Sequence, residues 1–276
     1  MQSAEAVPPS PPAEGEATAR PPGVYLYCIA DGGEKAKLGP IGIDGGEVYT
    51  IPYGDLCAVV HDCPAEPYQS TDAEVVKAWV MAHQQVVDKV WEEWGTVLPF
   101  AFDTIIKGPG DKGSQEQVES WLASGYQGLK GKMEAVRGKA EYGVQIFWLP
   151  HVIARDLTET NPEIRSLREE MTSKPRGLAY MYRQRLETVL KREMETTADR
   201  LFKDFYHRIK KHVCDLRVEK TQRTSADDRQ MIMNLSCLVY KDKVTDLGEE
   251  LENIDKVEGC SLRFTGPWPP YSFVSA

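Results

Sequence analysis

The sequence predicts an α+β protein with antiparallel sheets, and three observations lead to this class. Short runs rich in β-branched and aromatic residues precede and follow two long amphipathic segments in the first half of the chain. From residue 144 onward the patterns follow a βαββαβ order, which favours an antiparallel sheet with helices on one face. The length of 276 residues suits one large or two modest domains.

Residues 1–22 predict a disordered arm that precedes the folded part. The segment contains six prolines among Ala, Glu and Ser, and it has no aromatic residue. Arg20 is its only basic residue, and prolines interrupt every apolar run, so it does not resemble an export signal. No later stretch approaches the ~18 apolar residues of a membrane-spanning helix. We therefore expect a cytoplasmic protein.

The first folded unit is expected over residues 23–142. Residues 24–30 predict a strand, and residues 47–52 and 56–63 predict a hairpin turned at Tyr53-Gly54-Asp55. Thr71 and Glu74 match a capping box, followed by apolar residues at helical spacing up to Trp94. Residues 96–106 predict a strand bent at Pro99, and Ser114 begins a second helix.

The second unit, residues 143–276, supplies the βαββαβ order. Strands are expected at residues 144–154, 214–220, 231–240 and 261–265, with a helix at 244–257. The first crossover contains a short helix starting at Asn161-Pro162-Glu163 and a long helix over about residues 175–213. At ~1.5 Å per residue the long helix would extend nearly 60 Å, beyond the width of so small a sheet.

The long helix carries the first candidate partner-binding residues. Leu178, Tyr182 and Leu186 begin an apolar stripe that continues through the helix. The short helix and the first domain could cover this stripe as ordinary core. Alternatively, the helix could form an arm that docks a partner protein.

The carboxyl-terminal tail carries the second set of candidate partner-binding residues. Three prolines favour an extended backbone, while Trp268, Tyr271 and Phe273 add large apolar areas that are unfavourable in water. The tail is therefore expected to pack on its own domain or to form an aromatic surface for a partner.

The net charge and the cysteines limit the chemistry. With 33 basic and 42 acidic side chains the net charge is −9, which disfavours binding to nucleic acid or to an anionic lipid membrane. Cys57, His61 and Cys63 have the same parity on one strand and could offer three metal ligands, but no recognisable fourth ligand accompanies them. We expect no metal or cofactor, and six reduced, mostly buried cysteines.

Several stretches together resemble the gas vesicle protein F and L family. They are VYTIPYGDLCAVVHDCP, VVKAWVMAHQQVVDKVW, TVLPFAFDTI and the closing FTGPWPPYSFV, and the resemblance extends from Val24 to Val274. One departure is Asp103, where the family pattern has a small glycine before Thr-Ile. The resemblance does not separate the F type from the L type.

The resemblance implies an accessory or minor structural protein of gas vesicles that is not an enzyme. It implies an N-terminal ferredoxin-like variant and a C-terminal α+β domain with a helical hairpin. It also implies partners among the gas vesicle proteins, above all the hydrophobic major shell protein, whose nucleation it would assist and whose aggregation it would prevent.

Two other classes of function are open on the residues alone. A small-molecule-binding regulatory module could use the face of Cys57, His61 and Cys63, or a pocket near His83. An enzyme is disfavoured because the sequence contains no GxSxG, HExxH, Walker or dinucleotide fingerprint.

Overall fold

A computed structural model describes residues 22–108, 113–173, 175–222 and 228–274. The predicted arm lies outside this range except for Pro22. The first sheet is antiparallel, with strand order β2-β3-β4-β1-β5 and β6 also paired with β1. Its strands are β1 (Pro22–Asp31), β2 (Lys37–Gly39), β3 (Val48–Tyr53), β4 (Leu56–Pro64), β5 (Val97–Pro99) and β6 (Ile105–Lys107).

Two helices cover opposite faces of this sheet. They are α1 (Ala73–Trp94) and α2 (Gly113–Val136). Alternate residues of β1 face each helix: Tyr25 and Tyr27 share a buried cluster with α1, while Leu26 shares one with α2. Burial on both faces explains why the sequence of β1 is continuously apolar.

Two local expectations need correction in this half. Asp72 rather than Thr71 caps α1, because its carboxylate accepts a hydrogen bond from the Glu74 amide at 2.9 Å. The strand expected over residues 96–106 is two short strands, β5 and β6. Asp103 between them has a φ of 70°, which an extended strand does not allow.

The second sheet confirms the antiparallel βαββαβ prediction. Its order is β10-β7-β9-β8, and all pairs are antiparallel. The strand expected to reach Ala154 ends at Trp148, because Pro150 begins a helix. The strands are β7 (Lys139–Trp148), β8 (Asp215–Val218), β9 (Gln230–Tyr240) and β10 (Cys260–Trp268).

Five helices follow β7 along the described chain. They are α3 (Pro150–Thr160), α4 (Pro162–Ser173), α5 (Arg176–Lys210), α6 (Val244–Asp255) and α7 (Tyr271–Val274). Phe205 and Ile209 of α5 and Leu251 of α6 are buried in the cluster that contains the β7 and β9 side chains. In the part of the chain that the structure describes, no helix combines the length and apolarity needed to cross a bilayer.

The two sheets share one buried cluster. It joins Tyr25 and Tyr27 of β1 and Val86 of α1 to Ala140 and Val144 of β7. The α+β class is therefore confirmed, with the two sheets in contact through their side chains. β7 crosses residues 142 and 143, where the division into two domains stays a prediction.

Candidate functional site

The predicted helical hairpin is formed by α4 and α5. Asn161 precedes α4, and its side-chain oxygen accepts hydrogen bonds from the amides of Glu163 at 2.9 Å and Ile164 at 3.2 Å. Ile164 and Leu167 of α4 are buried against Val189 of α5. The buried residues of this small cluster differ from those of the core shared by the two sheets, and Leu157 of α3 packs against both.

The predicted stripe of α5 divides into covered and exposed residues. Tyr182 and Leu186 are half-buried against the cluster between α4 and α5, as expected if the short helix covers the stripe. Leu178 is 49% exposed, and the sequence analysis missed its neighbours Tyr180 and Met181, which are 61% and 65% exposed. We refer to Leu178, Tyr180 and Met181 as the hairpin tip.

Two arginines lie beside the hairpin tip. On a helix surface, residues three or four apart are neighbours. Arg183 follows Tyr180 by three positions, and Arg185 follows Met181 by four; both arginines are exposed. Within the described residues neither forms a salt bridge, whereas Arg192 further along α5 binds Glu163 at 2.8 Å. The hairpin tip therefore combines exposed apolar side chains with two arginines that form no salt bridge within the described residues.

The three aromatic residues of the tail have different environments. Trp268, at the end of β10, is 46% exposed. The Tyr271 hydroxyl donates a hydrogen bond to Gln84 Oε1 at 3.1 Å, and burial raises the pKa of Tyr271. Phe273 packs against the core beneath α2 and lies 5.4 Å from the Arg217 guanidinium. Tyr271 and Phe273 thus pack on the chain itself, which leaves Trp268 as the accessible aromatic ring.

A network of histidines and tyrosines lies between the first sheet and α1. His83 Nδ1 and the Tyr25 hydroxyl are 2.9 Å apart, and His61 Nε2 and the Tyr68 hydroxyl are 3.2 Å apart. Burial lowers the pKa of both His61 and His83 to about 4. At neutral pH both rings are uncharged and packed among aromatic rings, which favours a structural role over binding of a small molecule.

The three residues considered as metal ligands lie on one strand. Cys57 is separated from His61 by four residues of β4, about 13 Å at the usual rise of a strand. Burial raises the pKa of the Cys57 and Cys63 thiols to about 11, so both are protonated at neutral pH. Across residues 22–108, 113–173, 175–222 and 228–274, no three His, Cys, Asp or Glu side chains meet as ligands for a metal ion.

All six cysteines lie in described residues, and each is a free thiol. Cys28, Cys57 and Cys237 are buried, as expected for core residues. Cys214 is exposed, because it lies in the turn that joins α5 to β8.

Comparison with known proteins places these features in a family. The family model described as "Gas vesicle synthesis protein GvpL/GvpF" matches residues 23–275. The chain is 35% identical over 263 residues to gas vesicle protein L1 of Halobacterium salinarum, an alignment that covers 91% of this chain and 90% of that protein. It is 25% identical over 255 residues to gas vesicle protein F2 of the same organism, with 91% of each chain covered.

A solved structure supports the fold. The crystal structure of GvpF from Anabaena sp. PCC7120 superposes with a TM-score of 0.73 at 18% identity. The superposition covers 92% of this chain and 98% of that one. The likeness extends over both antiparallel sheets and the helices around them.

Proposed function

Because this chain belongs to the GvpL/GvpF family of gas vesicle proteins, we propose that it binds the hydrophobic major shell protein of the gas vesicle. In this role it assists nucleation and assembly of the shell and keeps unassembled subunits from aggregating. The proposed task requires binding alone and no turnover chemistry.

The physical need for such a protein follows from the nature of the shell. A wall that keeps water out of a gas space requires apolar subunits. Before assembly, the exposed apolar surface of each subunit favours aggregation. A folded, acidic protein that covers part of this surface would keep subunits available for assembly.

The observation that carries the proposal is the hairpin tip. Its three side chains are among the most exposed large apolar residues of the described chain, and two of them, Leu178 and Met181, are three positions apart and lie side by side on the helix. Exposed apolar side chains that cluster in this way are typical of surfaces that bind other proteins. The three residues lie in the first two turns of α5, and a helical backbone lowers the entropic cost of binding.

The first test is co-expression of the full chain with the major shell protein. We expect the soluble fraction of the shell protein to rise and the two proteins to purify together. As a control, the shell protein is expressed with an unrelated acidic protein of similar size. If the soluble fraction does not change and the proteins do not purify together, the proposal is wrong.

Trp268 is a second proposed contact point. The exposed ring offers a large apolar area, whereas Tyr271 and Phe273 are held by intramolecular contacts. Trp268→Ala should weaken capture of the shell protein in the same co-expression assay without changing the melting temperature. The matched control is Val218→Ser, which changes another exposed apolar residue. It should alter neither the capture of the shell protein nor the melting temperature.

A further inference from the structure

We propose that a cavity beside the first sheet binds the guanidinium group of an arginine that belongs to a partner protein. The cavity has a volume of about 420 Å³. Its walls come from β4, from the loop that follows β4, from the turn at Ile43–Gly45 and from α1. That a protein carries the arginine rests on the proposed function, whereas the guanidinium chemistry follows from the walls themselves.

Two aromatic rings form part of the wall. Tyr68 and Trp79 are half-buried, and their rings meet edge to face with the centroids 5.2 Å apart. Asp44 holds the Trp79 indole, because Asp44 Oδ1 accepts a hydrogen bond from Nε1 at 2.8 Å. Aromatic faces attract cations, and a planar guanidinium group can also stack on them. The two rings therefore favour an organic cation.

The charged side chains of the wall favour a cation as well. The described walls contain no Lys or Arg and three acidic residues, which are Asp44, Asp62 and Glu66. Asp62 accepts a hydrogen bond from the Tyr49 hydroxyl at 2.6 Å, and Asp44 accepts the one from Trp79. A carboxylate offers about four acceptor positions, so Asp44 can bind a cation while it still holds the indole. An anionic ligand would be repelled.

A buried imidazole nitrogen in the same wall lacks a partner. His61 lines the cavity and is 1% exposed, and within the described residues its Nδ1 has no hydrogen-bond partner. Its Nε2 lies 3.2 Å from the Tyr68 hydroxyl. With the proton on Nε2, the uncharged ring donates to Tyr68 and Nδ1 is left as an acceptor. A buried acceptor without a donor is unfavourable, so a donor at the inner end of the cavity is stabilising.

A guanidinium group suits these acceptors better than an ammonium group does. Burial lowers the pKa of His61 to about 4, and the charges of Asp62 and Asp44 oppose that shift, so these carboxylates lie within reach of the ring. Guanidinium presents five N–H donors in one plane, so it can donate to a carboxylate and an imidazole while its face lies on an aromatic ring. An ammonium group is a compact point charge without such a face.

The test follows the Trp79 indole N–H in heteronuclear NMR spectra of the isotopically labelled full-length protein. Its signal is assigned by its disappearance in Trp79→Phe. The probes are the blocked tripeptide acetyl-Ala-Arg-Ala-amide and the same peptide with citrulline, which has the shape of arginine without the charge. The arginine peptide should shift the Trp79 signal with a Kd of roughly 1 mM, and the citrulline peptide should bind at least about tenfold more weakly.

Two variants assign the binding to the cavity. Asp44→Asn removes the charge but keeps an acceptor for Trp79, and asparagine tolerates the φ of 52° at this position. It should weaken the arginine peptide at least about fivefold. The matched control is Glu93→Gln, which removes one exposed carboxylate at the far end of α1 and should leave the Kd within about twofold of wild type.

A third probe separates a protein side chain from a free small cation. The probe is n-propylguanidinium, which is the arginine side chain without its backbone. The tripeptide should bind at least as tightly, because the backbone of a protein segment must fit at the mouth of the cavity. Tighter binding of n-propylguanidinium would mean that the cavity takes a small molecule, and the inference would be wrong.

Two further results would overturn the inference. One is an equal response, or no response, of the Trp79 signal to the arginine and citrulline peptides. The other is an Asp44→Asn chain that binds the arginine peptide as tightly as wild type. The comparison of the two peptides uses the wild-type chain, so it stands even where a variant unfolds. None of these results depends on the shell protein, so the proposed function is judged separately by co-expression.

Discussion

Asp103 has the left-handed backbone conformation, with a φ of 70°. A residue with a Cβ atom pays about 1 kcal/mol or more to adopt it, which glycine avoids. The resemblance to the gas vesicle family leads one to expect glycine here, so the structure explains the family pattern. Asp103 compensates with two hydrogen bonds: its carboxylate accepts from the Tyr68 amide at 2.9 Å, and its own amide donates to the Tyr25 hydroxyl at 2.9 Å.

Asp103→Ala should therefore destabilise the protein by about 2 kcal/mol, because the strained backbone stays and the Tyr68 amide loses its acceptor. Asp103→Asn is the matched control, since asparagine keeps an acceptor oxygen and tolerates positive φ. Urea denaturation should place the asparagine variant within about 0.5 kcal/mol of wild type. Equal stability of the alanine and wild-type chains would contradict this account.

His61 and His83 should make stability depend on pH. Their pKa values in the folded chain are about 4, below the ordinary value of 6.5, because burial disfavours the charged ring. Between pH 4 and pH 6.5 the unfolded chain binds more protons than the folded chain. The stabilisation by the two neutral histidines is therefore fully present above pH 6.5 and is lost as the pH falls towards 4. Each histidine contributes on the order of 3 kcal/mol to this loss.

The measurement is urea denaturation at several pH values between about 4.5 and 7 for wild type and His83→Gln. We expect a shallower pH slope in the variant, which cannot gain a proton at this position. Acidic groups affect both proteins alike, so the difference between the slopes isolates His83. Identical slopes would show that His83 is not buried in its neutral form.

At the scale of secondary structure, the hairpin of α4 and α5 should unfold separately from the sheets. Leu167 is buried in the small cluster with Ile164 and Val189. Leu167→Ala leaves a cavity and should cost about 2–4 kcal/mol within this cluster. Hydrogen exchange should accelerate in α4 and the first half of α5, while β7 and β9 keep their protection.

Met181→Ala is the control for this experiment, because Met181 is 65% exposed and its truncation leaves no cavity. Its exchange pattern should match that of wild type. Loss of protection in β9 in the Leu167→Ala protein would show that the hairpin and the sheets unfold as one unit.

The elements differ in how well the sequence predicts them. The continuous apolar run predicts β1, and the helical spacing of apolar residues predicts α1. Both are predictable because a buried strand or helix face requires apolar residues at a regular spacing in the sequence. The apolar stripe predicts that one face of α5 is apolar. It does not predict how much of this face α4 covers. Tyr180 and Met181 therefore emerge as exposed only in the structure, while Tyr182 and Leu186 are covered.

Contacts between distant segments are the least predictable part. The hydrogen bond between Tyr25 and His83 joins residues 58 positions apart. No local spacing indicates such a pair, so the sequence offers His83 only as part of a possible pocket and does not identify its partner. The separation of Trp268 from Tyr271 and Phe273 has the same origin, because the last two depend on contacts with α1 and β8.

At the scale of the whole molecule, the tail connects the two sheets. Glu141 of β7 is nearly buried and accepts hydrogen bonds from Ser272, at 2.8 Å from the amide and 2.5 Å from the hydroxyl. Two residues further on, Val274 is buried in the core beneath α2. The tail thus fixes the second sheet against the first.

Ser272→Ala should lower the free energy of unfolding by about 2 kcal/mol, because the nearly buried Glu141 carboxylate loses one of its two donors from the tail. Thermal and urea denaturation measure this loss. Ser124→Ala is a suitable control, since the exposed Ser124 hydroxyl donates to the Trp121 carbonyl within its own helix turn. A Ser272→Ala chain as stable as wild type would mean that the tail does not bind the sheets together.

The length of α5 has an electrostatic consequence. Met181 and Phe205 are 24 positions apart on one continuous helix, about 36 Å at 1.5 Å per residue. In physiological saline, ionic fields decay over roughly 8 Å, so this span exceeds four decay lengths. Charged groups beside Met181 are therefore screened from those at the sheet-bound end of the helix, where His207, Arg208 and Lys210 occupy the last turn.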